Sequence, residues 1–295
     1  MRQLEVFGIG SCVAAGDPGC SLAPGVLRAS QPVAKILQGA GLHLAWQAII
    51  QPPGDVPREA AVAAVCAQIG RLVHDQVERG RPFVCFGGDH SCAMGIWAGA
   101  MRALGGPERL GLIWVDAHMD AHTYASSPSG NLHGMPVAAL LGQSDPALAR
   151  IYADNPVLPA ANLALLGVHS FEPAEQALIR RLQVPLWPMG AELRGERLAA
   201  TLAAIYAELA GRCARVGISI DLDAVDPRDA PGVGTPAPGG LSGRDLCAAL
   251  KGLRGASKLL GLELAEFNPL YDQERRTERL IAELVAAIYG ERSSP

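Results

Sequence analysis

Eight apolar runs of strand length recur along this chain with helix-length segments between them, and that alternation constrains the fold more than any other feature. The runs lie near 3–8, 44–50, 82–87, 110–116, 162–168, 184–188, 215–221 and 259–265. Helical patterns fall near 24–39, 57–79, 91–104, 134–142, 172–182, 192–210, 242–253 and 273–289, with Gly80 and Gly290 as expected helix stops. Strand alternating with helix over the whole length predicts a parallel sheet covered on both faces. A closed barrel would also use eight strand–helix units. Against it, the first strand is followed by a long Gly/Pro-rich loop, Gly8 to Pro24, and polar motifs occupy only some of the strand ends. The expected architecture is α/β: a three-layer α/β/α sandwich around a central, mainly parallel sheet of about eight strands. No repeat, low-complexity tract or linker interrupts residues 1–295, which are expected to form a single domain.

Three polar clusters stand at the ends of these runs. They are Gly87-Gly88-Asp89-His90-Ser91, Asp116-Ala117-His118-Met119-Asp120 and Ser219-Ile220-Asp221-Leu222-Asp223-Ala224-Val225-Asp226-Pro227. Parallel strands end on a common edge, where open α/β folds place their ligands. A spacing of two in Asp116, His118, Asp120 and again in Asp221, Asp223 turns the side chains to one side of extended backbone. Taken singly, a His after Gly-Gly-Asp is an ordinary loop residue, and strand-end Asp residues cap helices. Jointly, His90, Asp116, His118, Asp120, Asp221 and Asp223 offer four carboxylates and two imidazoles. Carboxylates alone would repel, so a bound cation is the natural reason to collect them. The set is too oxygen-rich for a lone structural zinc and suits Mn(II), with iron, cobalt or nickel as competitors. Two divalent ions would neutralise the four carboxylates, and a pair sharing Asp116 and Asp221 could lower the pKa of a water between them. The Pro/Gly-rich stretches 121–136 and 226–240 each follow a motif strand and read as active-site loops. Asp226, before Pro227, reads as a turn residue or as support for the ligands.

Charge and cysteine usage exclude other classes. A formal net charge of -4 gives no basic footprint, so neither a nucleic-acid partner nor an anionic membrane is expected. Seven scattered cysteines without CxxC spacing suggest neither a disulfide framework nor a zinc ribbon, and read as reduced thiols of a cytoplasmic protein. The sequence enters a strand-like run at once from Met1, and no apolar stretch is long enough to span a bilayer.

In the same order, the three clusters resemble the signature motifs of the ureohydrolase (arginase/agmatinase) superfamily. The similarity extends to Gly19-Cys20-Ser21-Leu22-Ala23-Pro24-Gly25-Val26-Leu27-Arg28, to Gly234-Thr235-Pro236-Ala237-Pro238-Gly239-Gly240 and to Glu263-Leu264-Ala265-Glu266-Phe267-Asn268-Pro269, nearly the whole chain. The resemblance implies an open α/β/α sandwich with two Mn(II) ions per chain. His90 and Asp120 would hold one ion, His118 and Asp223 the other, Asp116 and Asp221 both. The implied reaction is hydrolysis of a guanidinium carbon to urea and an amine. Such a cation is resonance-stabilised, so attack needs a strong nucleophile and an anion to orient the planar group. Glu266 resembles the carboxylate that pairs with the guanidinium, Asp120 would hydrogen-bond the nucleophile and help protonate the departing amine, and His133 matches the family's proton-shuttle histidine.

The substrate's other end is read from the loop Ser127-Pro128-Ser129-Gly130-Asn131-Leu132-His133-Gly134, which resembles the arginase branch. There a Ser/Asn-rich loop binds an α-carboxylate, so Ser127, Ser129 and Asn131 are candidate contacts, as is Thr235. Glu175 matches an acidic position near the α-ammonium. Glu172 stands where aspartate is usual, and His122 where arginases commonly place asparagine. The implied substrate is a small guanidino compound: L-arginine first, with another guanidino acid such as guanidinobutyrate, or agmatine or formimidoylglutamate, as alternatives. A catalytically silent metal-binding regulatory protein is the reading from another class. A homo-oligomer, trimer or hexamer, is implied by analogy alone.

Overall fold

Every strand of the central sheet runs in the same direction. The structure, a computed structural model, describes residues 1–143 and 156–291; residues 144–155 and 292–295 of the single-domain expectation lie outside the described residues. The strands are β1 (Arg2–Ile9), β2 (Leu42–Ile50), β3 (Phe83–Phe86), β4 (Leu110–Val115), β5 (Leu163–Leu166), β6 (Leu186–Trp187), β7 (Arg215–Asp221) and β8 (Leu259–Ala265). They form one eight-stranded sheet in the order β2-β1-β3-β8-β7-β4-β5-β6, each pair parallel. The inner strands are buried on both faces, which is why Phe83–Phe86 and Leu110–Val115 are apolar throughout rather than alternating.

The described helices are α1 (Ala23–Ala29), α2 (Gln31–Gly39), α3 (Arg58–Glu78), α4 (Cys92–Ala103), α5 (Pro136–Leu140), α6 (Pro173–Leu182), α7 (Glu196–Arg212), α8 (Gly243–Gly252) and α9 (Arg276–Tyr289). Successive strand residues face opposite layers. Val84 and Phe86 pack with α1, α2, α7, α8 and α9 through residues such as Leu27, Leu37, Leu202, Leu250 and Leu284. Phe83 and Cys85 pack with α3, α4, α5 and α6 through Ile69, Ile96, Leu140 and Ile179. The expected three layers are thus present. Among the described residues, no helix is long and apolar enough to cross a membrane.

Three expectations change. The helical segment 24–39 is two helices, because the Ser30 side chain accepts the N–H of Val33 at 3.1 Å and caps α2, with a proline in its first turn. Gly80 ends α3 in the left-handed region at φ 67°, as its type suggests, but Gly290 follows α9 with φ -60°. Its lack of a side chain is needed for space instead, since a Cβ there would lie 2.5 Å from the Ala286 carbonyl oxygen. The cysteines are not all reduced. Cys12 and Cys20 form a disulfide with Cα atoms 5.9 Å apart, while Cys66, Cys85, Cys92, Cys213 and Cys247 are free. Sequence scatter gave no hint of this because the pair is made by the fold of the loop after β1.

The strand order is what builds a site. β3, β8, β7 and β4 are neighbours in the sheet although they come from distant parts of the chain, so the segments following residues 86, 115, 221 and 265 emerge side by side. Gly217 in β7 contributes by leaving room for the indole of Trp97 from α4, which a Cβ at 217 would strike. Gly217→Ala should therefore destabilise the protein by about 1–3 kcal/mol through overpacking. Denaturant unfolding measures this; a parental midpoint would show that Trp97 is not held against the strand.

Candidate metal centre

Polar side chains gather where the four central strands end. His90, just before α4, is fully buried and stacks on Trp114, ring centroids 4.2 Å apart. Its Nδ1 lies 3.1 Å from Asp120 Oδ2, 3.1 Å from Asp221 Oδ2 and 3.4 Å from Asp116 Oδ2. His118 Nδ1 lies 3.1 Å from Asp223 Oδ2 and 3.6 Å from Asp116 Oδ1. The result is two linked clusters: His90, Asp116, Asp120 and Asp221 form one, and Asp116, His118 and Asp223 the other. Asp116 belongs to both, one oxygen toward each histidine. Asp221 belongs to the first, and its Oδ1 accepts the N–H of Asp223 at 2.9 Å.

Two buried atoms at this point, His90 Nδ1 and Asp120 Oδ2, have no hydrogen-bond partner, and they face one another. An unpartnered ring nitrogen beside an unpartnered carboxylate oxygen fits a cation in a dry site. The other ligand candidates are held from behind. Trp114 Nε1 donates to Asp116 Oδ2 at 2.8 Å, the His118 N–H to Asp116 Oδ1 at 2.7 Å, and the Thr235 hydroxyl to Asp223 Oδ2 at 2.9 Å. Backbone geometry is costly here: Asp120 (φ 49°) and Glu266 (φ 65°) are left-handed without being glycine, at an expense on the order of 1 kcal/mol each. The Asp120 carbonyl accepts the N–H of Val137 at 2.9 Å, and the Glu266 N–H donates to the Gly88 carbonyl at 2.8 Å, so tertiary contacts hold both turns.

Titration reflects the crowding. Burial, and then the charge of Asp116, pushes Asp120 up to about 7. Burial and the neighbouring carboxylates also raise Asp221 and Asp223. Burial opposes ionisation of Asp116 too, but hydrogen bonds from His118 and His90 hold it below the usual carboxylate range. Burial would lower His133; the Glu266 carboxylate, with Oε1 3.0 Å from Nδ1, outweighs it and pushes the imidazole up to about 9. Glu266 Oε1 also accepts the N–H of His90 at 2.8 Å.

A pocket of about 200 Å³ opens beside the clusters. Its lining includes His118, Asp120, Asp221 and Asp223 from the clusters, together with His122, Ser129, His133, Glu172, Glu175 and Thr235. His122 has both nitrogens engaged, Nδ1 with Ser126 Oγ at 3.1 Å and Nε2 with Glu172 Oε2 at 2.9 Å. Glu172 and Glu175 form the capping box of α6, and burial followed by the Glu172 side chain pushes Glu175 up to about 7. Ser127 and Asn131 do not line this pocket; the Ser127 hydroxyl accepts the N–H of Gly130 at 2.9 Å within the turn. Asp226 sits in a turn as read from sequence, accepting from Arg228 and from the Gly239 N–H.

Sequence reasoning assigned no role to Asp89, Trp97, Trp114, Ser219 or Glu263, which support the site from within. Asp89 accepts the N–H of Ala14 at 3.1 Å, tying the loop after β1 to the cluster. The one available signal was a polar residue at an interior position of an apolar strand, as at Ser219 and Glu263.

Comparison with known proteins identifies relatives. The family model described as Arginase family matches residues 2–290. An arginase of Bacillus caldovelox is 38% identical over 232 residues, 79% of this chain and 76% of that protein. An arginase of Brucella melitensis is 30% identical over 302 residues, 97% of this chain and 95% of its own length. The solved structure of the Bacillus caldovelox arginase superposes with a TM-score of 0.88 at 33% identity, covering 99% of each chain.

Because burial and the charge of Asp116 push Asp120 up to about 7, a divalent cation competes with a proton on that carboxylate more at pH 6 than at pH 8. Cation affinity should therefore rise between pH 6 and pH 8, with proton release that shrinks over the same interval. Calorimetry in two buffers of different ionisation enthalpy measures both, and an affinity independent of pH over that range would contradict the site.

Proposed function

This chain belongs to the arginase family and is a metal-dependent amidinohydrolase, and from that premise we propose that it converts L-arginine to L-ornithine and urea with two Mn(II) ions per chain. The observation that carries the reading is a single pocket with two different ends. One is marked by His118, Asp120, Asp221 and Asp223 from the two linked carboxylate–imidazole clusters, the other by Ser129, Glu172 and Glu175. His90 and Asp120 would hold one cation and His118 and Asp223 the second, with Asp116 and Asp221 shared between them.

When bound, the cations supply Lewis acidity and lower the pKa of a water at the site, the nucleophile that guanidinium hydrolysis needs. The remaining work falls to side chains. Glu266 anchors and orients the planar guanidinium by charge-assisted hydrogen bonding. Asp120 hydrogen-bonds the nucleophile and passes a proton to the departing amine. His133, half-buried at the rim and 3.0 Å from Glu266, exchanges protons with solvent. Ser129 at the pocket wall serves the amino-acid end together with Glu172 and Glu175, while Ser127 and Asn131, away from the wall, shape the loop that carries Ser129, and Thr235 orients Asp223.

One observation favours a second substrate. The Glu172 carboxylate that would receive an α-ammonium is already paired with His122, which stands where arginases commonly carry asparagine. A guanidino acid without an α-amino group, such as guanidinobutyrate, would leave that pair undisturbed. The same reading takes the protein as cytoplasmic and homo-oligomeric, a trimer or hexamer.

Urea release by Mn(II)-loaded protein on L-arginine, guanidinobutyrate and agmatine tests the assignment. Arginine should give the highest kcat/KM; preference for guanidinobutyrate would move the function to the second substrate, and no urea from any would sink both. Glu266→Gln should keep the bound metal yet lower kcat/KM for every guanidino substrate by about 3–5 kcal/mol in transition-state stabilisation, the cost of breaking a desolvated ion pair. Unchanged kcat/KM would remove Glu266 as the anchor.

A further inference from the structure

Behind His90 runs a chain of hydrogen bonds that has only one consistent direction. Trp97 Nε1 lies 2.7 Å from Glu263 Oε2, and an indole N–H can only donate. Ser219 Oγ lies 2.8 Å from the same oxygen. Glu263 Oε2 therefore accepts from both, and the Ser219 hydroxyl spends its single proton there. Burial raises the Glu263 pKa, the charge of His90 and the hydrogen bonds from Ser219, Cys92 and Trp97 oppose that rise, and all three donors are aimed at its carboxylate oxygens, Cys92 Sγ at 3.3 Å from Oε1. What Ser219 has left is a lone pair, 2.9 Å from His90 Nε2. That contact is a hydrogen bond only when Nε2 carries the proton, which leaves Nδ1, the atom aimed at Asp120 and Asp221, as the lone pair free for a cation.

The placement of these groups is built into the sheet. Ser219 and Glu263 are direct partners across β7 and β8. Gly217, Ser219 and Asp221 alternate along one face of β7: the first makes room for Trp97, the second relays, and the third lies at the metal cluster. Trp97, Ser219, Glu263 and His90 are all 0% exposed, so water does not compete for any bond in the chain.

We propose that Glu263 is a positioning residue of the metal centre: acting through Ser219, it fixes the proton of His90 on Nε2 and presents Nδ1 to the cation. This rests on the metal-dependent reading of the site and adds to it a residue that touches neither substrate nor metal. The direction of the chain, rather than the charge of Glu263, is what matters. In Glu263→Gln the amide oxygen can accept from Trp97 and Ser219 alike, which preserves the relay. In Glu263→Leu the acceptor is gone, and the Ser219 hydroxyl is free to turn its proton toward His90. Ser219→Ala cuts the relay with less disturbance to packing.

Binding of Zn(II) and Mn(II) to each variant, measured by competition with a chelating dye, and long-range 1H–15N NMR of the Zn(II)-loaded protein provide the test. The parent and Glu263→Gln should show His90 protonated on Nε2 and bind both ions with affinities within about threefold of one another. With either metal, Glu263→Leu and Ser219→Ala should bind the cation of the His90 cluster about 10- to 100-fold more weakly and the cation of the His118 cluster as the parent does. Folding is checked by unfolding midpoints, and Ser219→Ala carries the test if Glu263→Leu does not fold. Parental affinity for both ions in folded Ser219→Ala, or a parental His90 protonated on Nδ1, overturns the proposal. None of these readouts uses a substrate. A protein with the expected tautomer and affinities that released no urea would fail the proposed function and leave the role of Glu263 supported.

Discussion

Mutual repulsion among buried carboxylates is the constraint on which the rest of this structure depends. Asp116, Asp120, Asp221 and Asp223 are all buried, in two clusters that share one of them. Without a counter-charge such a group can persist only by taking up protons or by borrowing cationic histidines. The protein's own groups show the pressure: burial and the neighbouring carboxylates raise Asp120, Asp221 and Asp223, while Asp116 and Asp223 raise His118 against the pull of burial. Divalent cations answer that repulsion better than protons, since each supplies two charges with directional coordination.

Holding such a group together requires a rigid frame, and the parallel sheet supplies it. Strand ends cannot drift apart when β3, β8, β7 and β4 are hydrogen-bonded neighbours packed on both faces. The unfavourable left-handed backbone at Asp120 and Glu266 persists for the same reason, with hydrogen bonds to Val137 and Gly88 over-determining each turn. Local strain, buried charge and orphaned atoms coincide at one sheet edge, whereas the opposite edge shows no comparable cluster among the described residues.

How much of this was legible in the sequence depends on the range of the interaction concerned. Strands were readable because a doubly covered parallel strand is an uninterrupted apolar run; Leu259–Ala265 and Arg215–Asp221 fall where the runs place them. The clusters were readable because spacing of two is a local property, and the structure brings His90, Asp116, His118, Asp120, Asp221 and Asp223 together. The break at Ser30 was locally encoded in Ser30-Gln31-Pro32 but masked by apolar periodicity on either side. Glu263 was not readable at all as a support for His90. Its partners Trp97, Ser219 and Cys92 are 166, 44 and 171 residues away in sequence, and only the strand order reveals them. The Cys12–Cys20 pair, eight residues apart, was hidden for another reason: it closes within an irregular loop without apolar periodicity, shaped by a turn capped by Asp17 and tied to Asp89.

The two ends of the pocket are built on different physical terms, which bears on where specificity can change. At the metal end each acidic side chain answers to several partners at once, and Asp116 alone accepts from Trp114 Nε1 and the His118 N–H while facing two histidines. A substitution there perturbs charge balance, backbone strain and packing together. At the other end, Glu172 and Glu175 already serve the start of α6, and His122 closes onto Glu172 from a loop. An incoming ammonium would have to share those carboxylates with a helix cap and an imidazole, whereas a substrate lacking it would not. An exchange at position 122 changes a partner of both carboxylates, since His122 Nε2 lies 2.9 Å from Glu172 Oε2 and 3.5 Å from Glu175 Oε2. Substrate choice can change through exchanges at this end, yet the end is tied to the metal cluster as well, because Glu175 Oε1 accepts the N–H of Ala121, the residue after Asp120, at 3.1 Å.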